Sequence, residues 1–428
     1  MIRTGIHVHP HDLVDEGAQT VIDRIGALLP GVDPIVGVNT LFERHPYPTG
    51  VLPHNPRHRV IQTRGRLALA SSRYGRLRVR QRVEDLTPVI VDAFTAARRA
   101  GMRPIAWFSC LNGAYTDASR IATVETLDGS KVPQWLCPAR PESLRHALEL
   151  CRLVIDSLDA DEILVDRIRY PDWSGQSVVA ERLLSCFCPA CRQRLTAAGL
   201  DVERLGGQLT SMWRAAGPGA VRGWPEDDAA RRWLKVRADT ITDFVQSLRE
   251  SLWKEFPHVR LYLNLWPPSQ AYLLGQDFRA LRAHCDGAKF FPYHRLGGGA
   301  ALGHLVDTVP PPQRERVFQD LLKAWNLPYR ISYAEFLRCG LPEDFVADET
   351  RQAVALMAPR PVFSGIQLWD LPAESVRSAI QAALRPGPRG LFLYCYGWTP
   401  LPVLQETGAW MDQELPKYVA RSRGQQGN

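Results

Sequence analysis

Asp161-Glu162-Ile163-Leu164-Val165-Asp166-Arg167-Ile168-Arg169-Tyr170-Pro171 is the stretch on which the reading of this chain turns. An apolar run stops at a carboxylate, Asp166, and is followed by two arginines and a tyrosine. A parallel barrel presents its catalytic residues in this way, at the C-terminal ends of its strands. Cysteines flank the stretch. Cys137 lies upstream in Trp135-Leu136-Cys137-Pro138, and Cys186-Phe187-Cys188-Pro189-Ala190-Cys191 lies downstream.

Outward from this strand, eight short apolar runs alternate with amphipathic stretches. The runs are Gly5 to His9, Pro34 to Leu41, Arg103 to Leu111, Glu162 to Tyr170, Arg260 to Trp266, Ala288 to His294, Val362 to Trp369 and Gly390 to Trp398. Most are nearly continuous in apolar residues, as parallel strands buried on both faces require. Helical periodicity marks Thr87 to Ala100, Pro141 to Ser157, Asp227 to Phe256, Asp344 to Met357 and Ala373 to Leu384. Repeated strand and helix predict an α/β fold, a (β/α)₈ barrel, with an open seven- or eight-stranded sheet as the alternative. A chain of 428 residues with 45% hydrophobic content can fill one such barrel with long loops. The expected catalytic domain is 1–415, including a cysteine-containing insertion over 171–225, with 416–428 as a C-terminal tail.

Two excursions interrupt the alternation. Glu43 to Arg82, rich in Arg, Pro and Gly, is expected to rise from the barrel mouth after strand two and cover the substrate. Pro171 to Pro225, after strand four, carries the cysteine triplet. Between strands six and seven, Tyr329-Arg330-Ile331-Ser332-Tyr333 also looks strand-like.

The net charge is +7. No Lys/Arg stripe is interleaved with aromatics, so nucleic acid is not an expected partner. No apolar run reaches the ~18 residues of a membrane span. The N-terminal run Gly5-Ile6-His7-Val8-His9 has no basic-then-apolar leader. Nine irregularly spaced cysteines do not form a disulfide framework. These features predict a cytoplasmic protein with reduced thiols. Self-association into a homo-oligomer stays open.

The strand ends supply the candidate site. They offer His7 and His9, Trp107 and Asn112, Asp166, Arg169 and Tyr170, Asn264 and Trp266, Tyr293 and His294, Trp369 and Asp370, and Tyr396 and Trp398. Aromatic faces cover the C–H faces of sugar rings, while Asn, His and Arg bind hydroxyls. Glycosidic cleavage ordinarily needs two carboxylates. Asp166 is the first candidate and Asp370 the second, three strands on around the ring; Glu335 is a further candidate partner. The expected function is a glycoside hydrolase acting on a small oligosaccharide or glycoconjugate. His7-Val8-His9 also admits a metal-dependent hydrolase of the amidohydrolase type. A sugar-binding barrel without catalysis is the third reading.

Cys186, Cys188 and Cys191 have the spacing of metal ligands, with Cys137 as the fourth and Cys110 or Cys151 as substitutes. Four thiolates would close a tetrahedral structural Zn²⁺ site with no position open for chemistry.

These residues resemble a known group. Asp161 to Pro171 is similar to a strand motif of bacterial barrel-fold glycoside hydrolases grouped as hypothetical glycosyl hydrolase family six. The cysteine element resembles the zinc cluster of family 42 β-galactosidases. Gly390-Leu391-Phe392-Leu393-Tyr394-Cys395-Tyr396-Gly397 resembles the eighth strand of these proteins. The resemblance implies a glycosidase barrel with a structural zinc ion. Family 42 enzymes carry an Asn-Glu acid/base after strand four and a Glu nucleophile after strand seven; this chain has Asp166 and Asp370 in those regions.

Overall fold

The computed structural model describes residues 2–38, 51–52, 55–59, 87–113, 122–173, 180–295 and 302–425. Eight parallel strands close into a barrel. They are β1 (Arg3–Val8), β2 (Val32–Gly37), β3 (Ile105–Ser109), β4 (Glu162–Asp166), β5 (Arg260–Leu265), β6 (Gly287–Phe290), β7 (Val362–Gln367) and β8 (Gly390–Tyr394). β1 pairs with both β2 and β8, so the sheet has no edge and the open-sheet alternative falls. Each expected run overlaps one strand, though β1, β2 and β6 begin one or two residues earlier, and the strands stop short of the runs' C-terminal ends. β4 stops at Asp166 because Arg167 adopts a left-handed backbone, φ 55°, which breaks the pleat.

Side chains alternate in and out along a strand. Three layers follow from this alternation. At the N-terminal end, Arg3 bridges Asp33 at 3.2 Å and Glu162 at 2.5 Å. The middle is apolar: Phe363 stacks on Phe392 with centroids 4.5 Å apart, and Tyr262 meets Phe363 edge-on at 5.5 Å. Gly5 makes room for that packing. A Cβ there would lie 2.9 Å from Ile35 Cδ1 and 3.1 Å from Phe392 Cδ1. The top layer, two residues further along each strand, holds His7, Trp107, Asp166, Lys289 and Tyr394, all buried.

The helices form the outer layer. Thr87–Arg99, Pro141–Leu158, Asp228–Glu255, Asp344–Met357 and Ala373–Leu384 lie where periodicity placed them. Ala18–Leu28, Pro311–Ala324 and Leu401–Gln425 add to them, the last running through Pro416 into the expected tail. Tyr329 to Tyr333 is not a strand. It leads into helix Tyr333–Cys339, whose N-cap Ser332 accepts from the Glu335 N–H. Competing side-chain bonds at a cap outweigh the β-propensity of a short run. Of the excursion from Glu43 to Arg82, Val51–Leu52 and Asn55–Arg59 pair antiparallel, and the remainder lies outside the described residues. No described helix is long and apolar enough to cross a membrane.

Candidate functional site

Asp166 is the last residue of β4, and its side chain is fixed from three sides. Oδ1 accepts the Arg167 backbone N–H at 2.6 Å and Arg169 Nη1 at 2.9 Å. Oδ2 accepts the Trp107 indole N–H at 3.2 Å. Burial opposes the charge, but Arg169, the Arg167 N–H and Lys289 outweigh it and hold the carboxyl below its ordinary range. Asp166 is therefore a buried carboxylate that stays ionised. Arg169 also binds Asp172 at 2.7 Å, so one guanidinium orients two carboxylates.

Lys289, which sequence reading missed, comes from β6. It is 1% exposed, and its Nζ donates to Tyr293 Oη at 3.1 Å. It lies 4.9 Å from the Phe291 centroid and 5.7 Å from that of Tyr394. The available signal was a lone lysine in the apolar run Gly287-Ala288-Lys289-Phe290-Phe291. Gly365 on the neighbouring strand leaves space for its stem, since a Cβ there would be 3.2 Å from Lys289 Cε.

Aromatic rings and histidines wall the mouth. His7 meets Trp107 edge-on at 4.8 Å and Tyr394 at 5.1 Å. His9 caps helix Pro10–Glu16, stacks on Trp398 at 5.5 Å and has Nε2 3.2 Å from Tyr394 Oη. Tyr293 stacks on Tyr394 at 5.5 Å and meets Trp369 edge-on at 5.1 Å. Across the mouth, Trp266 packs edge-on against Trp173 at 4.5 Å, and Arg169 lies 5.7 Å from its ring.

These histidines are neutral. Burial first, then the charge of Lys289, holds His7 well below its ordinary value. Burial lowers His9 to about 3, and burial with Arg295 lowers His294 to about 4. Both ring nitrogens of His7, Oδ1 of Asn264, Nε2 of His294 and Nε1 of Trp266 are buried without a hydrogen-bond partner among the described residues. Unmet buried donors and acceptors are costly, so such a set points to ligand or water.

Other expected site residues stand elsewhere. Tyr170 is buried beside the cysteines, its Oη 3.9 Å from Cys191 Sγ. Tyr396 points outward from the barrel and bonds Glu16 at 2.8 Å and Arg24 at 3.0 Å. Asn112 forms a bridge with Trp135 in the segment after β3. Glu335 is exposed and bonds the Ser332 N–H and Oγ at 2.7 and 2.8 Å. Asp370 is an exposed rim residue with φ 56°, and Pro372 rather than Asp370 caps the following helix. None of the groups bonded to Asp166 is a carboxylate.

The cysteines form a second centre. Cys137 follows Lys131–Leu136, a strand paired with Thr123–Glu125. Cys188 caps helix Pro189–Ala197, and Cys191 is in its first turn. The four sulfurs of Cys137, Cys186, Cys188 and Cys191 lie within 4.8 Å of one another. Cys137 is 3.4 Å from Cys191 and 3.6 Å from Cys188. A tetrahedral site with ~2.3 Å Zn–S bonds has S···S separations of ~3.8 Å, so the set fits one ion. The Glu125 and Cys188 N–H groups donate to Cys186 Sγ at 3.3 and 3.4 Å, as they would to a thiolate. Cys110 and Cys151 are outside this cluster. Among the described residues it is the only such group; His7 and His9 do not form one.

Neither a protein-family model nor a curated protein matches the sequence. Solved structures share the fold. A β-galactosidase from Marinomonas ef1 aligns with TM-score 0.55 at 10% identity, over 99% of this chain and 60% of that one. One from Halorubrum lacusprofundi aligns with TM-score 0.55 at 11% identity, over 95% and 58%. One from Bacillus circulans sp. alkalophilus aligns with TM-score 0.51 at 12% identity, over 96% and 56%. The chain thus spans between 56% and 60% of the length of these three proteins.

Proposed function

We propose that this protein is a glycoside hydrolase and that Asp166 is one of its two catalytic carboxylates. The observation that carries the reading is the buried, ionised Asp166 at the C-terminal end of β4, beside rings and neutral donors suited to a sugar. The barrel shared with the β-galactosidases supports it at the level of fold. Asp166, held ionised, suits the nucleophile, base or oxocarbenium-stabilising role and not that of the acid. Asp370, on the loop after β7 beside Trp369, supplies the proton to the leaving group. His7, Asn264 and His294 bind hydroxyls, and Trp266 and Trp369 cover ring faces. The expected substrate is a small oligosaccharide or glycoconjugate.

The thiolate centre binds a structural Zn²⁺ in this reading. Its need for reduced thiols suits the cytoplasm. All four protein ligands are used, so the ion takes no part in hydrolysis.

A panel of aryl glycosides and oligosaccharides tests the function. The wild type should turn over at least one of them. Asp166→Asn should retain the fold and lose at least about 10³-fold in kcat, with Asp370→Asn losing a comparable factor. Wild-type-like rates in Asp166→Asn would end the hypothesis. One observation favours a second reading, a sugar-binding barrel without catalysis: Asp370, the proposed partner, is exposed at the rim, whereas Asp166 is buried. Saturable oligosaccharide binding without turnover would select it.

A further inference from the structure

Helix Asp228–Glu255 buries a stripe that includes Trp233, Arg237, Ile241, Phe244 and Leu248. A guanidinium on an apolar stripe is out of place unless a partner anion meets it there. Arg237 is 3% exposed, and its Nε, Nη1 and Nη2 have no hydrogen-bond partner among the described residues. No carboxylate among the described residues pairs with it. Its Cζ lies 4.5 Å from the Tyr170 ring and 4.6 Å from that of Trp233. Tyr170 in turn places its hydroxyl 3.9 Å from Cys191 Sγ. Ionised, the sulfurs of Cys191 and Cys186 would favour the charged guanidinium against the cost of its burial.

We infer that Arg237 is the counter-cation of the cysteine centre. The inference rests on the reading of that centre as a zinc site. A divalent ion on four thiolates leaves a dianion, and burying it uncompensated is as costly as burying a lone arginine. The guanidinium offsets one of the two negative charges, and the dianion gives the guanidinium the anion it lacks. Tyr170 stands between them, its ring against the cation and its hydroxyl toward the sulfur. This explains why a fully buried Arg–Tyr pair stands behind the loop after β4. Arg237 is a positioning and charge-balancing residue; it touches neither the ion nor a sugar.

The test compares wild type, Arg237→Gln, Arg237→Lys and Arg249→Gln, each as the full chain. Arg249 is on the same helix and pairs with Asp286 at 2.7 Å, so its loss weakens the helix without touching the cysteines' charge. Zinc per chain and zinc transfer to a chromogenic chelator are measured, with melting temperature alongside. Wild type should carry one zinc. Arg237→Gln should release it about 10- to 100-fold faster, the range for groups that support metal ligands. Arg237→Lys should stay within about threefold of wild type, and Arg249→Gln should melt earlier yet release zinc at the wild-type rate. In the cobalt-substituted protein, loss of the cation should move the sulfur-to-metal charge-transfer band to longer wavelength. Zinc retention by Arg237→Gln equal to wild type overturns the inference, as does equally fast loss from Arg249→Gln. If Arg237→Gln does not fold, Arg237→Lys decides: tenfold faster loss from it overturns the charge role. A wild-type chain without zinc overturns the underlying metal reading instead.

Discussion

The Trp107 indole N–H is the one donor to Oδ2 of Asp166 among the described residues, at 3.2 Å, while Oδ1 takes both the Arg167 N–H and Arg169. The two oxygens are therefore unequal. Oδ1 is tied to the strand end and a cation. Oδ2 keeps more of the charge and, under the proposed function, would be the oxygen offered to a developing oxocarbenium centre.

Trp107→Phe keeps an aromatic ring but removes the N–H donor together with one ring of the buried indole. A hydrogen bond to a charged group contributes about 1.5–3 kcal/mol. Turnover measured well below the variant's melting temperature should fall about ten- to a hundredfold, while the void left by the smaller ring lowers the melting temperature. An unaltered kcat would show that this bond does not position Asp166.

Lys289 helps keep Asp166 ionised. Lys289→Met removes that charge and should raise the Asp166 pKa. Less of the carboxylate is then ionised at low pH, so the acidic limb of the kcat/KM profile should move to higher pH. A limb that stays in place, on protein that still folds, would exclude this coupling.

Sequence reading found the strands because parallel strands buried on both faces are continuous apolar runs. It singled out Asp166 because a carboxylate ending such a run is uncommon. It did not find Lys289, whose significance lies in register: position 289 faces the lumen only because Phe290 and Ala288 face out. Tyr170 and Tyr396 were read as site residues by their place after a strand. Chain direction past a strand end is set by turns, and both chains turn outward, one to the cysteines and one to Glu16 and Arg24. Ser332 and Glu335 have the spacing of a capping box, a helix signal that the strand-like Tyr329 to Tyr333 obscured.

Glu349 is fully buried on helix Asp344–Met357, and its Oε2 accepts the Ser269 N–H at 3.0 Å. Burial raises its pKa to about 7. In the unfolded chain the group ionises near 4.5, so between those values the native state holds the extra proton. Stability from this group is lost as pH rises from about 4.5 to 7 and is level above that. Glu349→Gln removes the penalty. Its stability relative to wild type should improve by about 3 kcal/mol between pH 4.5 and pH 8, read by urea melts at each pH. A pH-independent difference would show that Glu349 ionises normally.

Cys188→Ser removes one of the four sulfurs and should leave the centre without stoichiometric zinc. The ion joins Cys137, before helix Pro141–Leu158, to the segment that opens helix Pro189–Ala197. Closing that long loop restrains the unfolded chain, and metal binding adds directly to folding free energy. Chelation of the wild type and Cys188→Ser should therefore both lower the melting temperature by about 5–10 °C and expose the segment around residue 186 to protease. The barrel mouth draws its donors from β3, the segment just after β4, and β6, not from the thiolates. Turnover measured well below the new midpoint should then stay within about threefold of wild type, because a site with four protein ligands holds no water for hydrolysis. Loss of turnover at a temperature where the stripped protein is still folded would place the metal in the chemistry rather than in the scaffold.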